Sequence, residues 1–116
     1  MYGNNSPDGY QEILQGIKIK TLVYGNDSLM TEFVLSKGSN LLEHTHKHEQ
    51  IGYLVKGKME LFIKEKSRIL KPGDSWCVPS NAKHKAVILE DSIAIEVFIP
   101  YREEYSKYIN AKDIIE

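Results

Sequence analysis

His44, His46 and His48 stand at every second position of one short segment, Gln50 continues the same spacing, and His84 follows later, behind the Pro72-Gly73 pair. These are all four histidines of the chain. Imidazole is the commonest metal-binding side chain, so the grouping points to a metal site. On an extended strand, residues i and i+2 face the same way about 7 Å apart. His44 and His46 could then converge on one ion through bonds of roughly 2.1 Å. His44 to Gln50 would span about 20 Å on a straight strand. The chain must therefore bend between His46 and Gln50, and one of the four side chains is left outside the shell. Imidazole suits several transition metals, so ligand type leaves the ion open.

A second constellation lies near the C-terminus, in Ile95-Glu96-Val97-Phe98-Ile99-Pro100-Tyr101-Arg102. Strand alternation puts Glu96 and Phe98 on one face and Ile95, Val97 and Ile99 on the other. If the first face is the inner one, a carboxylate and a ring line a pocket, and Arg102 can grip a substrate carboxylate by a bidentate pair. If it is the outer one, the segment is an ordinary edge strand and Arg102 caps a helix. Alternation alone leaves both open.

The elements that must position these residues are short. At 116 residues, 41% of them hydrophobic, the chain is one domain with one modest core. A net charge of -1, from 15 basic and 16 acidic residues, gives no pull toward nucleic acid or an anionic membrane. The one cysteine, Cys77, cannot form an internal disulfide and fits a reducing compartment. It lies in the apolar Trp76-Cys77-Val78, where a buried structural thiol is expected. The N-terminal residues carry no signal-peptide pattern, and no run reaches the roughly 18 apolar residues needed to span a bilayer. The expected location is cytoplasmic.

Residues 1–10, polar and rich in Gly and Asn, read as a flexible arm ahead of a domain over 11–116. The spacing predicts strands at Ile17–Thr21, Leu29–Leu35, Ile51–Val55, Met59–Lys64, Ser67–Lys71, Ser75–Val78, His84–Leu89 and Ser92–Ile99. Turn residues separate them, with Lys56-Gly57-Lys58 as a tight reversal and Pro72-Gly73-Asp74 as a further turn. Turns at this interval indicate an all-β sandwich or barrel. Arg102–Ile109 places Tyr105, Tyr108 and Ile109 at i, i+3 and i+4, the pattern of a short amphipathic helix.

The spacings Gly38-x5-His44-x-His46-x3-Gln50-x6-Gly57 and Gly73-x5-Pro79-Ser80-Asn81-Ala82-Lys83-His84 resemble the two motifs of the cupins. Gln50 stands where glutamate is usual, and Asn81 where glycine is usual. The resemblance runs from about Gly16 to Arg102. It implies a single jelly-roll barrel holding a divalent metal ion (Zn, Ni, Fe or Mn) on His44, His46, Gln50 and His84. Under that alignment His48 is a rim residue, and Glu49 becomes the oxygen ligand only if the register slips. A neutral ligand set leaves the ion's charge uncompensated and should attract an anion.

The C-terminal segment is similar to the D-x-F-S-P-P-R-x-D-Y ending of KdgF-type pectin-degradation cupins. Glu96 replaces its aspartate, Ile99 its serine and Tyr101 its second proline. That resemblance implies conversion of a 4,5-unsaturated uronic acid to its linear keto form, with Glu96, Phe98 and Arg102 lining the site. The expected partner is a small anionic sugar acid. Two other classes stay open: a metal-dependent dioxygenase, and a non-catalytic cupin that senses a small molecule. Uncovered sheet edges favour a homodimer, which the N-terminal arm and tyrosine-rich C-terminal segment would complete.

Overall fold

The computed structural model describes all 116 residues. Ten strands are formed: β1 (Tyr2–Gly3), β2 (Gln11–Leu14), β3 (Ile17–Tyr24), β4 (Leu29–Leu35), β5 (Asn40–His44), β6 (Glu49–Ile63), β7 (Lys66–Leu70), β8 (Ser75–Val78), β9 (His84–Ile99) and β10 (Ile114–Ile115). The main sheet runs β2-β3-β4-β9-β6-β7, with β5 added to β9 and β8 to β6, all antiparallel. This is the expected all-β jelly-roll architecture. No helix is long and apolar enough to cross a membrane.

Two expected strand breaks do not occur. β6 runs through Lys56-Gly57-Lys58 and β9 through Glu90-Asp91-Ser92, each as one long strand. The residues read as a tight reversal form a bulge, marked by register shifts between Leu54 and Met59. Gly57 takes φ +96°, and a Cβ there would lie 2.1 Å from Ser92 Oγ and 2.4 Å from the Asp91 carbonyl oxygen. Only glycine fits so close a crossing. The Lys58 amide donates to Ser92 Oγ (3.0 Å), and that hydroxyl donates to the Glu90 carbonyl (2.7 Å).

This bend lets the two long strands serve both faces of the barrel. The first part of β6 pairs with β8 and with the second part of β9, whose other edge takes β4. The rest of β6 pairs with β7 and with the start of β9, whose other edge takes β5. The core fills the space between: Leu29, Phe33 and Leu35 from β4, Leu54 and Leu61 from β6, Ile88, Ala94 and Phe98 from β9. The bulge also switches the inward set on β6, from Gln50, Gly52 and Leu54 to Met59 and Leu61.

Cys77 was expected to be buried and is exposed. In β8 the alternation turns Trp76 and Val78 inward and Cys77 out, a parity that an all-apolar tripeptide hides. Tyr53 in β6 also faces outward and is 50% exposed.

The C-terminal helix is tighter than expected. Glu103–Tyr108 is a 3-10 helix, followed by a second 3-10 turn at Ala111–Asp113. At three residues per turn, side chains at i and i+3 eclipse. Accordingly the Tyr105 and Tyr108 rings meet at 5.7 Å, while Ile109 falls outside as the cap. Thr21 Oγ1 donates to the Tyr105 carbonyl at 2.7 Å and ties this helix to β3.

Residues 1–10 run against the barrel. β1 pairs with β10. Lys20, 2% exposed, donates from Nζ to the carbonyls of Ser6 (3.1 Å) and Asp8 (2.9 Å) and meets Asp113 Oδ2 at 2.8 Å. Tyr10 donates its hydroxyl to Glu32. A polar segment with no apolar pattern of its own is thus held by one buried cation and one carboxylate.

Candidate metal centre

β5 ends at His44 and β9 starts at His84, and the two residues are partners across that pair. The bend required by the spacing falls over Thr45–His48, between β5 and β6, one step earlier than the expected stretch after His46. It brings His46 back over the other two. The His44 and His84 rings lie 4.1 Å apart, and His46 and His84 4.8 Å apart. Ligand atoms of these three histidines all fall within 4.8 Å of one another. The three are positioned to bind a metal ion.

Their tautomers point the same way. Nδ1 donates to a main-chain carbonyl two residues distant in each: Leu42 for His44 (2.7 Å), His48 for His46 (2.9 Å) and Ala82 for His84 (2.9 Å). That leaves Nε2 of each ring as a bare acceptor. His84 Nε2 is buried with no hydrogen-bond partner. His46 Nε2 faces Gln50 Oε1 at 3.1 Å, so two acceptors oppose each other while the Gln50 amide donates to Glu96 Oε2 at 2.6 Å. An orphaned lone pair and two facing acceptors are what a cation would satisfy, and the donor set fits one.

Burial favours the neutral, ligating form. It pushes the His46 imidazole down to about 4, aided by the nearby Arg102 and His84 charges. His84 is also lowered, again chiefly by burial. His48 is buried beside the cluster, its ring 5.6 Å from that of His46, with Nδ1 unpartnered, but it lies outside the three-histidine group. Glu49 is exposed.

The C-terminal constellation comes to the same pocket. Gln50 pairs with Phe98 across β6 and β9, and Gly52 with Glu96. Both β9 side chains point inward. Glu96 is buried, and the loss of solvation pushes its carboxyl up to about 7. The Gln50 hydrogen bond, the Arg102 charge and the Trp76 indole oppose that rise. The Phe98 ring stands 5.9 Å from that of His46.

Arg102 lies over two rings, 5.0 Å from the centre of Phe98 and 4.1 Å from that of Tyr105. Its Nε is paired with Glu104 Oε1 at 3.0 Å. The outer edge of the guanidinium is left for another acceptor. Sequence reading missed Tyr105 as a site residue. Its ring packs edge-on to Phe98 at 5.2 Å, and burial pushes its hydroxyl up to about 12. The signal was present in Arg102-x-x-Tyr105, a spacing that stacks only once the helix is 3-10.

The comparisons with known proteins agree with this geometry. Residues 31–100 match the Cupin domain family. The chain is 35% identical over 98 residues to the pectin degradation protein KdgF of Dickeya dadantii, a match covering 83% of this chain and 89% of that protein. The solved structure of KdgF from Halomonas sp. aligns with a TM-score of 0.85 at 32% identity, over 90% of this chain and 96% of that one. An RmlC-like cupin from Shewanella frigidimarina aligns with a TM-score of 0.80 at 29% identity, over 83% and 86%. The chain belongs to the cupin family, and within it to the KdgF group.

Proposed function

We propose that the protein is a metal-dependent isomerase that opens a 4,5-unsaturated uronic acid to its linear keto form. One observation carries this reading: Glu96, Phe98 and Arg102 line one pocket together with His44, Gln50 and His84, and His46, the third histidine of the cluster, lies beside it with its ring 5.9 Å from that of Phe98. The kinship with a pectin degradation protein supports it. His44, His46, Gln50 and His84 would hold a divalent ion, Zn, Ni, Fe or Mn, and when bound it would act as a Lewis acid on a substrate oxygen. The ligand set is neutral, which favours an anionic sugar acid.

The chain's own groups divide the remaining work. Arg102 receives the substrate carboxylate on its free edge, because Nε is occupied by Glu104 and the guanidinium is held over the Phe98 and Tyr105 rings. Glu96 carries the proton. With its carboxyl near 7 it can both accept and donate at neutral pH. The hemiacetal hydroxyl loses a proton as the ring C–O bond breaks, leaving a carbonyl and an enolate, and that proton returns to carbon as the enolate becomes a ketone. No electrons leave the substrate. Gln50 holds one carboxylate oxygen still while this happens. Phe98 walls the site and excludes water from it.

The test is absorbance decay on an unsaturated galacturonate monomer, with metal content measured on the same preparation. Wild type should turn over. Arg102→Lys should lose about 10- to 100-fold in kcat/KM, the worth of one bidentate ionic contact. Equal rates for the two proteins would end this assignment, and tight binding without turnover would leave a sensing module.

We also propose a homodimer, formed through the outer sheet face and not through the N-terminal arm, which is engaged on its own barrel. Ile51, Tyr53 and Val55 of β6 lie there in a row, 44 to 50% exposed, beside Cys77 and Ile99. So contiguous an apolar strip favours a second copy.

A further inference from the structure

Gly52 lies opposite two large residues at once: Trp76 across β8 and Glu96 across β9. A Cβ at Gly52 would sit 2.0 Å from Trp76 Cε2, 2.2 Å from Cζ2 and 2.3 Å from Nε1. The N–H edge of the indole therefore fills the place of a side chain at Gly52, in the strand that lies between β8 and β9. Trp76 is the chain's single tryptophan and is buried. Its Nε1 has no hydrogen-bond partner. A buried donor left unpaired is costly and rare. This one lies against Gly52, the residue that faces Glu96 across β6 and β9, on the same inward side of the sheet.

Glu96 has one oxygen engaged, Oε2, by Gln50. We propose that Trp76 is a positioning residue for Glu96: its indole N–H, admitted by the missing side chain of Gly52, receives the carboxylate and fixes which oxygen faces the substrate. The inference rests on Glu96 being the proton carrier of the reaction proposed above. Trp76 touches no substrate; it acts only through Glu96. Rate depends on orientation so steeply that a misplacement of about 1 Å can cost 100-fold.

A single tryptophan gives a single indole N–H resonance in a nitrogen–proton correlation spectrum. In metal-free protein, Glu96→Gln should move that resonance clearly, while Glu60→Gln, at a surface pair with Ser67, should leave it in place. Trp76→Phe keeps a ring over Gly52 and removes the N–H. It should lower kcat about 10- to 100-fold, with KM and metal content unchanged. An indole resonance indifferent to Glu96→Gln would overturn the proposal, as would a Trp76→Phe enzyme with wild-type kcat. If wild type itself fails to turn over the unsaturated uronate, the functional reading falls, and the resonance alone decides whether Trp76 reaches Glu96.

Discussion

Glu96 should make the metal-free protein less stable as the pH rises. Its carboxyl is moved by burial from an ordinary 4.5 to about 7. Folding therefore favours the protonated acid, and that contribution is complete below 4.5, where the unfolded chain is protonated too. It declines as the pH climbs, because the unfolded chain ionises first, and is fully lost once the pH passes about 7. Each tenfold change in proton affinity is worth about 1.4 kcal/mol, so the whole effect is about 3 kcal/mol. Glu96→Gln keeps the shape and has nothing to ionise. The assay is urea unfolding of chelator-treated wild type and Glu96→Gln from pH 5 to 8.5, taking the difference at each pH so that other groups cancel. The variant should gain on wild type by about 2–3 kcal/mol across that range. A difference that stays flat would refute the reasoning and mean that Glu96 is solvated, or is ionised and fully compensated, at every pH.

Three further outcomes follow from particular contacts. His84→Ala removes the buried, unpartnered Nε2 and should weaken metal binding at least about 100-fold, read by chelator competition and elemental analysis. Lys20→Met strips the arm of the cation that holds Ser6, Asp8 and Asp113, so limited proteolysis should cut within residues 1–10 while circular dichroism of the barrel is unchanged. In wild type the Lys20 hydrogen bond holds the Asp113 carboxyl below its ordinary range; that support is present above about pH 4 and lost only below it, so the arm should stay protected down to that value. Tyr53→Lys puts a charge in the middle of the exposed strip and should shift sedimentation from dimer to monomer.

Alternation carried most of what could be read in advance. Leu29–Leu35 forms the strand that its pattern predicts, and Glu96 and Phe98 share one face of β9 as alternation requires. The face of Glu96 was undecided until the register set it opposite Gly52. What escaped has a common cause: it depends on two segments meeting. Gly57 reads as a turn by composition, yet Ser92 and Asp91, pressed against it, make it a bulge within a continuous strand. Residues 1–10 look loose because their partners, Lys20 and Asp113, are distant in the chain. Cys77 sits among apolar neighbours, and only pairing with Ile51 shows that its side of β8 is the outer one. The histidine spacing announced a metal site; the three Nδ1 contacts that orient the rings involve carbonyls, which leave no mark on residue identity.

Those carbonyls have a consequence for how such a pocket can change over time. Each imidazole takes its orientation from a stretch of backbone no more than two residues away, independent of what surrounds the pocket. Charge in the same pocket is governed elsewhere, by the amide–carboxylate couple of Gln50 and Glu96. Ring orientation and pocket charge are thus set by different groups. Exchanging Gln50 for an acid, or shortening Glu96, would retune which anions are welcome without disturbing the rings, so one scaffold can pass between chemistries by single substitutions.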